Sequence, residues 1–407
     1  MAVRIFTLMS NRTLHNNLQY MSSRTVYNSF KKITRTINSN NVSFNHLIHH
    51  RSRKQYNAFA SPKLNMSTNA VPKMATAPHI PVMSEEVKKL LSYDGVFLDM
   101  TFGAGGHTRM ILQNCSNSKI LCLDRDPLAH QYATDLADQY PGRVIPLLGK
   151  FSELPDLLDK LGVCDNSLDG ILMDVGVSSM QFDDPQRGFM LSQDGPLDMR
   201  MDSNRDENHL TAAEILANID EDSLYKVLKY YGEEKHARKI ARAVVESRYL
   251  LRKLRTTKEL AELVASVINI DGRLDKLQRF SHPATKTFQA LRILVNNELN
   301  ELDYGLKSAH HYLRPGGTLV TITFHSLEDT IVKRHFTGMD IDKTPDSIGR
   351  GVAKHRSSLT SYSNSEMKQI MAKKWVNVTK HVLLPSDEEV SRNPRARSAK
   401  LRAAVKC

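Results

Sequence analysis

The residues best suited to chemistry in this sequence are glycines and acids at three places. In Thr101-Phe-Gly-Ala-Gly-Gly-His-Thr108, the glycines Gly103, Gly105 and Gly106 let the backbone turn tightly and approach a ligand with no Cβ in the way. In Leu121-Cys-Leu-Asp-Arg-Asp126, Asp124 stands about twenty residues beyond that turn, where an acid at a strand tip accepts both hydroxyls of a ribose. In Asp174-Val-Gly-Val-Ser-Ser-Met-Gln181, short polar side chains gather after a strand, so Asp174, Ser178, Ser179 and Gln181 are expected to face one crevice. The bland alternative for this third stretch is a polar loop. Turn and spaced acid together suit NAD and S-adenosylmethionine alike. The missing third glycine of the dinucleotide fingerprint favours S-adenosylmethionine, because a ligand without a pyrophosphate has less need of that close approach.

Such residues need a sheet to hold them. From Val96 onward short apolar runs alternate with helical patterns, the mark of a parallel sheet with helices on both faces. Strands are predicted at Val96 to Met100, Lys119 to Leu123, Val144 to Leu148, Leu168 to Met173 and Thr318 to Phe324, the last strongly β-branched. Leu299 to Leu313 reads as a helix closed by Pro315-Gly-Gly317. Trp375 to Leu384 and Ser398 to Val405 are expected to form a final antiparallel pair, after a mobile loop at 344–374.

Between the fourth and fifth strands the pattern turns helical. Thr211 with Glu214, and Thr256 with Glu259, form capping boxes. Leu224, Val227, Leu228 and Tyr231 recur at helical spacing, and Gly232 is placed to end that helix. The next helix carries Lys235, Arg238, Lys239 and Arg242 on one face, followed by Arg248, Arg252, Lys253 and Arg255; this is either a track for a phosphate backbone or a solvated surface. His236 has no spaced partners for a metal.

The net charge of +12 does not by itself point to nucleic acid, because it is localised. Residues 1–84 hold 11 Lys or Arg and no acid, which leaves 45 basic and 44 acidic residues in the remainder. An acid-free leader rich in Arg, Ser, Thr and Asn describes a transit peptide for the mitochondrial matrix; the alternative is a disordered basic arm that touches RNA. No run reaches the roughly eighteen apolar residues of a spanning helix. Four cysteines without paired spacing lead us to expect no disulfide and no zinc.

Several blocks resemble the bacterial small-subunit ribosomal RNA cytosine-N4 methyltransferases, the RsmH or MraW family. They are His79-Ile-Pro-Val-Met, the glycine turn, Asp124-Arg-Asp-Pro, Asp174-Val-Gly-Val-Ser-Ser, Arg187-Gly-Phe, Asp194-Gly-Pro-Leu-Asp-Met-Arg-Met-Asp202, His282-Pro-Ala-Thr-Lys-Thr-Phe-Gln-Ala-Leu-Arg292, Phe324-His-Ser-Leu-Glu-Asp329 and Arg397-Ser-Ala-Lys-Leu-Arg402. The likeness spans everything after the leader. It implies an α/β class I (Rossmann-like) methyltransferase with an inserted helical domain: leader 1–75, core 76–202, insertion 203–282 and core 283–407. It further implies S-adenosylmethionine contacts at Gly105, Gly106, His107, Asp124, Phe151, Asp174 and Gln181. Departures are Ala104 where the family often has Arg and Met180 where it often has Pro, both flanking the site. The implied activity is methylation of N4 of a cytidine in mitochondrial small-subunit RNA, free or in an assembling subunit. Asp174 is the candidate acceptor at the amine, and Ser178, Ser179, Asp198, Arg200, His325 and Ser326 are candidate RNA contacts; no metal is required. The rival from another class is an RNA-binding ribosome-assembly factor without essential catalysis. A nicotinamide dehydrogenase fits the first half and leaves the blocks at Asp194 and His282 without explanation.

Overall fold

The computed structural model describes residues 81–250, 253–268, 282–338, 374–379 and 381–407. The leader, Arg252 and nearly all of the 344–374 loop lie outside the described residues.

A seven-stranded sheet carries the fold, built from β1 (Val96–Asp99), β2 (Lys119–Asp124), β3 (Val144–Leu148), β4 (Leu168–Asp174), β5 (Leu313–Thr323), β6 (Trp375–Asn377) and β7 (Lys400–Lys406), in the order β3-β2-β1-β4-β5-β7-β6. The first five strands run parallel, and β7 lies antiparallel between β5 and β6. The order reverses between β1 and β4, with Leu98 paired to Leu121 on one side and Ile171 on the other. That reversal opens a crevice at the carboxyl ends of the strands.

The strands are apolar runs because both faces are covered. Successive side chains of β2 go to opposite faces: Ile120 and Cys122 join one hydrophobic cluster, Leu121 and Leu123 the other. Helices α1 (Ser84–Leu90), α2 (Gly106–Asn114) and α3 (Pro127–Gln139) cover the first face through Val87, Ile111, Leu112, Ala133 and Leu136. The second face is covered by α4 (Leu154–Lys160). Between β4 and β5 come the short α5 (Ser179–Asp183), then α6 (Ala212–Asn218), α7 (Glu221–Tyr230), α8 (Ala237–Leu250), α9 (Thr257–Ile268), α10 (Thr285–Asn296) and α11 (Glu298–Tyr312). One hydrophobic cluster runs from Leu98 and Met173 in the sheet through Leu224, Ile240, Val264 and Leu291, so these helices share a core with the strands. After β5, α12 (Ser326–Phe336) returns along the sheet, and α13 (Asp387–Arg392) precedes β7.

Both capping boxes form. Thr211 accepts from the Glu214 amide, and the Arg255 and Thr256 amides donate to Glu259. Residues 285–296, to which periodicity assigns no element, form α10. Two punctuation signals act differently from their prediction. Pro315-Gly-Gly317 does not close α11; the chain passes from Tyr312 directly into β5, and the extra residues bulge where pairing jumps from Leu168–Leu313 to Gly170–Thr318. Gly232 lies beyond the end of α7 without a positive φ; a Cβ there would meet the Lys286 carbonyl at 2.6 Å, so the glycine admits α10.

Candidate active site

The crevice is a cleft of about 1060 Å³ bordered by the tips of β1, β2 and β4. Its first wall is the glycine turn. Gly105 is the N-cap of α2 at φ 78°, and the Phe102 ring fills the space its Cβ would take, at 2.6 Å. Gly105 shapes the turn, while Gly103, Ala104, Gly106 and His107 border the cleft itself. The first amides of α2 have no carbonyl within the helix and carry its positive dipole end.

Asp124 borders the cleft at the tip of β2. The Gly103 amide donates to Oδ2 at 2.8 Å and the Asp126 amide to Oδ1 at 2.9 Å, so turn and acid are one hydrogen-bonded unit. Burial pushes the Asp124 carboxyl up to about 6, with the neighbouring Asp126 adding to the effect and the two amides opposing it. Each carboxylate oxygen keeps capacity for one further donor, as a ribose diol requires.

The floor holds polar atoms without protein partners. Asp174 ends β4, its amide donating to Thr101 Oγ1 at 2.7 Å. Its Oδ2 lies 3.6 Å from Nε2 of His107, and its buried Oδ1 has no hydrogen-bond partner. Neither ring nitrogen of His107 has one, although the residue is 6% exposed. Native interiors rarely leave such atoms unsatisfied, and here they belong to residues that border a cleft. Behind them Asp99, buried at the end of β1, accepts from Thr108 Oγ1 at 2.7 Å; burial raises its carboxyl.

Ser178, Ser179, Met180 and Gln181 line the next wall. Ser178 caps α5 reciprocally with Gln181. The Gln181 amide nitrogen donates to Asp126 Oδ2 and to the Met201 carbonyl, both at 2.9 Å, so Gln181 braces the wall and offers the cleft little beyond its oxygen. Arg187 reaches the same two acceptors at 2.8 Å. Asp126 and Arg187 thus build the site from beneath, a role that spacing along the chain did not reveal.

Phe151 lies in the turn after β3 and lines the cleft, with one side of its ring packed against Gly305 of α11. Arg292, Glu298, Glu301, Phe324 and Glu328 also line the cleft, with Glu301 accepting from the Ser152 amide and hydroxyl beside Phe151. Arg292 grips Glu298 through two bonds, at 2.8 and 2.9 Å, and lies 3.8 Å from Glu328. Ligand atoms of Glu298, His325 and Glu328 come within 4.8 Å of one another, but the cation those carboxylates need is the Arg292 guanidinium. Four of the expected RNA contacts lie off the cleft lining. Asp198 and Arg200 pair with each other at 2.7 Å, His325 caps α12 against Glu328, and Ser326 Oγ donates to Glu233 at 3.0 Å. The chain reversal that puts Phe324 and Glu328 in the cleft folds His325 onto Glu328, 2.9 Å away, and leaves Ser326 exposed, so neither side chain lines the cleft.

The expected basic face of α8 is exposed but partly neutralised. Arg238 is bonded to Asp222 and stacked 3.9 Å over Tyr225, Arg242 lies 3.9 Å from Glu221, and Arg248 braces the Ile219 carbonyl.

A reversing parallel sheet with an antiparallel strand beside β5, a glycine turn bonded to a ribose-type acid and no third fingerprint glycine define a Rossmann-like S-adenosylmethionine-dependent methyltransferase. A profile of the MraW methylase family matches residues 76–407, and the chain belongs to that family. It is 49% identical over 336 residues to the 12S rRNA N(4)-cytidine methyltransferase METTL15 of Homo sapiens, covering 81% of this chain and 82% of that one. It is 43% identical over 329 residues to the ribosomal RNA small subunit methyltransferase H of Methylobacterium nodulans, covering 80% and 89%. A Culex quinquefasciatus protein bearing the name of a receptor-type tyrosine-protein phosphatase, mosPTP-1, is 54% identical over 84% of this chain, which spans only 23% of that protein.

Proposed function

We propose that this enzyme methylates N4 of a cytidine in mitochondrial small-subunit ribosomal RNA, free or within an assembling subunit, inside the mitochondrial matrix. The observation that carries the reading is the partly exposed carboxylate of Asp174 on the cleft floor, on the same strand edge as the glycine turn and Asp124. The names of the human and Methylobacterium relatives, and the acid-free leader, support the substrate and the compartment.

S-adenosylmethionine would supply an electrophilic methyl group, and the partly exposed carboxylates of Asp124 and Asp174 at the cleft edge fit a polar ligand there. Asp124 holds the ribose hydroxyls, the amides of Gly106 and His107 face the amino-acid end, and Phe151 offers an apolar face to the adenine. Gln181 fixes the wall beside them. Cytosine N4 is a poor nucleophile because its lone pair is delocalised into the ring. The Asp174 carboxylate accepts one N4 hydrogen, which draws the amine toward tetrahedral geometry. The bound cofactor would supply the methyl group to N4 and keep the carbon–sulfur electron pair on sulfur, and Asp174 would take the N4 proton. Ser178 and Ser179 sit where they can hold the base. A paired base would hide this amine, so the target cytidine is single-stranded or flipped.

The test is nucleoside mass spectrometry of mitochondrial small-subunit RNA from cells without the protein, complemented by wild type or by Asp174→Ala. N4-methylcytidine should return with wild type and stay absent with the variant. Its persistence in cells without the protein would remove the assignment.

A further inference from the structure

We infer that the mouth of the cleft holds the nucleotide next to the target cytidine, its base stacked on the ring of Phe182 and its phosphate paired with Arg395. The inference rests on the proposed RNA methylation and adds where the strand lies once it leaves the pocket.

With Asp198, Arg200, His325 and Ser326 off the lining, the expected RNA contacts that remain are Ser178 and Ser179, both at the start of α5. The Phe182 amide donates to the Ser178 carbonyl at 2.9 Å, so Phe182 stands one helical turn, about 5.4 Å, further along the same face. Phe182, Asp183 and Arg395 line the cleft together with these serines. The wall beside the base therefore continues outward into an aromatic ring. Its step is longer than the roughly 3.4 Å between stacked neighbours, as a strand with one base drawn out of its stack requires.

The Phe182 ring does not serve the core. It belongs to neither hydrophobic cluster and keeps 40% of its surface accessible; of the large apolar residues exposed among the described residues, it is the one that also lines the cleft. A scattered exposed ring needs no explanation, but this one has a cation set over it. The Arg395 guanidinium lies 5.8 Å from the ring centre and is paired with the neighbouring Asp183. Arg395 comes from the far end of the chain, on the turn Pro394–Ser398, where Ala396 is fully buried and the Arg395 amide donates to Asn393 Oδ1 at 3.3 Å. Ring and cation thus stand side by side on anchored backbone, with 38% of the arginine side chain still accessible.

This pairing suits single-stranded RNA. Every base has a π-face and every nucleotide a phosphate, so a ring with a guanidinium beside it takes one nucleotide of any sequence. Arg397 adds an exposed cation on the same turn, and Lys88 and Arg109 also line the cleft, against Glu85 and Asp183. A surplus of cations is what a phosphate strand needs. Neither Phe182 nor Arg395 touches the methyl group, so their effect falls on RNA affinity and not on turnover.

Full-length wild type, F182A, F182W, R395A and F182A/R395A are assayed on small-subunit RNA, free and within subunits, purified from mitochondria lacking the protein. N4-methylcytidine is counted by mass spectrometry, and S-adenosylhomocysteine affinity is measured by calorimetry. F182A should raise KM for RNA about tenfold, with kcat and the S-adenosylhomocysteine Kd within about twofold, and F182W should keep KM within about threefold of wild type. R395A should raise KM as well, and flatten the slope of log KM against log salt by about 0.7, one phosphate's share on a single strand. The double variant should lose less than the product of the single losses, because both residues act on one nucleotide. A photoreactive benzoylphenylalanine in place of Phe182 should crosslink to a nucleotide adjacent to the methylated cytidine. Unchanged KM in both F182A and R395A, equal loss in F182A and F182W, or crosslinks to a distant nucleotide or to a ribosomal protein would each overturn the inference while leaving N4 methylation standing. Wild type that forms no N4-methylcytidine would instead bring down the proposed function on which it rests.

Discussion

At the scale of single residues, Asp124 shows how a local signal becomes a functional group. Its carboxyl, raised to about 6 by burial, keeps its proton longer in the folded protein than in the unfolded chain. The charged form at neutral pH is therefore a burden on the free enzyme, which two ribose hydroxyls relieve by donating to it. Asp124→Asn should weaken S-adenosylhomocysteine binding at pH 7.5 by at least about tenfold, roughly 1.4 kcal/mol. The sign of the pH effect is fixed by the same reasoning: protonation removes an acceptor, so wild-type affinity should fall as pH drops below about 6, and the variant should lose that dependence. Calorimetry between pH 5.5 and 8 checks both, and an undiminished affinity in the variant would remove Asp124 from the ribose site. Asp124 could be found from sequence because the turn and the strand tip are local. Asp126 and Arg187, 61 positions apart and bonded at 2.8 Å beneath the site, could not, since nothing in spacing announces a contact across that distance.

At the scale of elements, sequence pattern did best where burial is uniform. Strand β3 matches its predicted bounds and β1, β2 and β4 differ by one residue at an end, because a strand covered on both faces is an uninterrupted apolar run. It did worst where a residue's role depends on what packs against it. Pro315-Gly-Gly317 carries the marks of a helix stop and became a bulge in β5, because pairing with β4 holds the chain extended. His325 and Ser326 sit at a strand tip, yet α12 starts there, so that His325 folds onto Glu328 and Ser326 bonds Glu233, and neither lines the cleft. The glycine turn is the element whose failure is easiest to read. Gly105→Ala adds a Cβ into the Phe102 ring at 2.6 Å on a backbone at φ 78°. We expect a loss of about 1–3 kcal/mol in stability together with the loss of measurable S-adenosylhomocysteine binding. Ala104→Gly, one residue earlier at the cleft edge, should leave binding within about threefold. Thermal melts and calorimetry on the two variants distinguish a turn that needs its shape from one that tolerates any small residue.

At the scale of the whole molecule, the strand tips and the helices between β4 and β5 meet at a polar seam centred on Asp202. This fully buried carboxylate lies 2.6 Å from Nδ1 of His209 and 3.3 Å from both Arg125, just past β2, and Lys150, just past β3. His209 Nε2 in turn meets the Val295 carbonyl at 2.8 Å, and Asn296 bonds the Met199 carbonyl and the Met201 amide at 2.7 Å, so α10 is stitched to the same point. Burial works to raise the Asp202 carboxyl, but the His209 bond and the charges of Arg125, His209 and Lys150 hold it far below the usual carboxylate range. A depressed carboxyl stabilises the fold above the unfolded value of about 3.9, and that contribution is lost progressively as pH falls below it. Asp202→Asn keeps the shape and removes the charge, leaving two half-buried cations uncompensated. The expected cost at pH 7 is about 3–5 kcal/mol. Because Arg125 and Lys150 also border the cleft, S-adenosylhomocysteine binding should weaken with it. Melting curves at pH 7, 5 and 3.5 test the assignment, since the gap between wild type and variant should be full at the first two and shrink at the third. A gap that stays constant down to pH 3.5 would mean that Asp202 acts by shape and not by charge, and the seam would then be a packing joint instead of an electrostatic one.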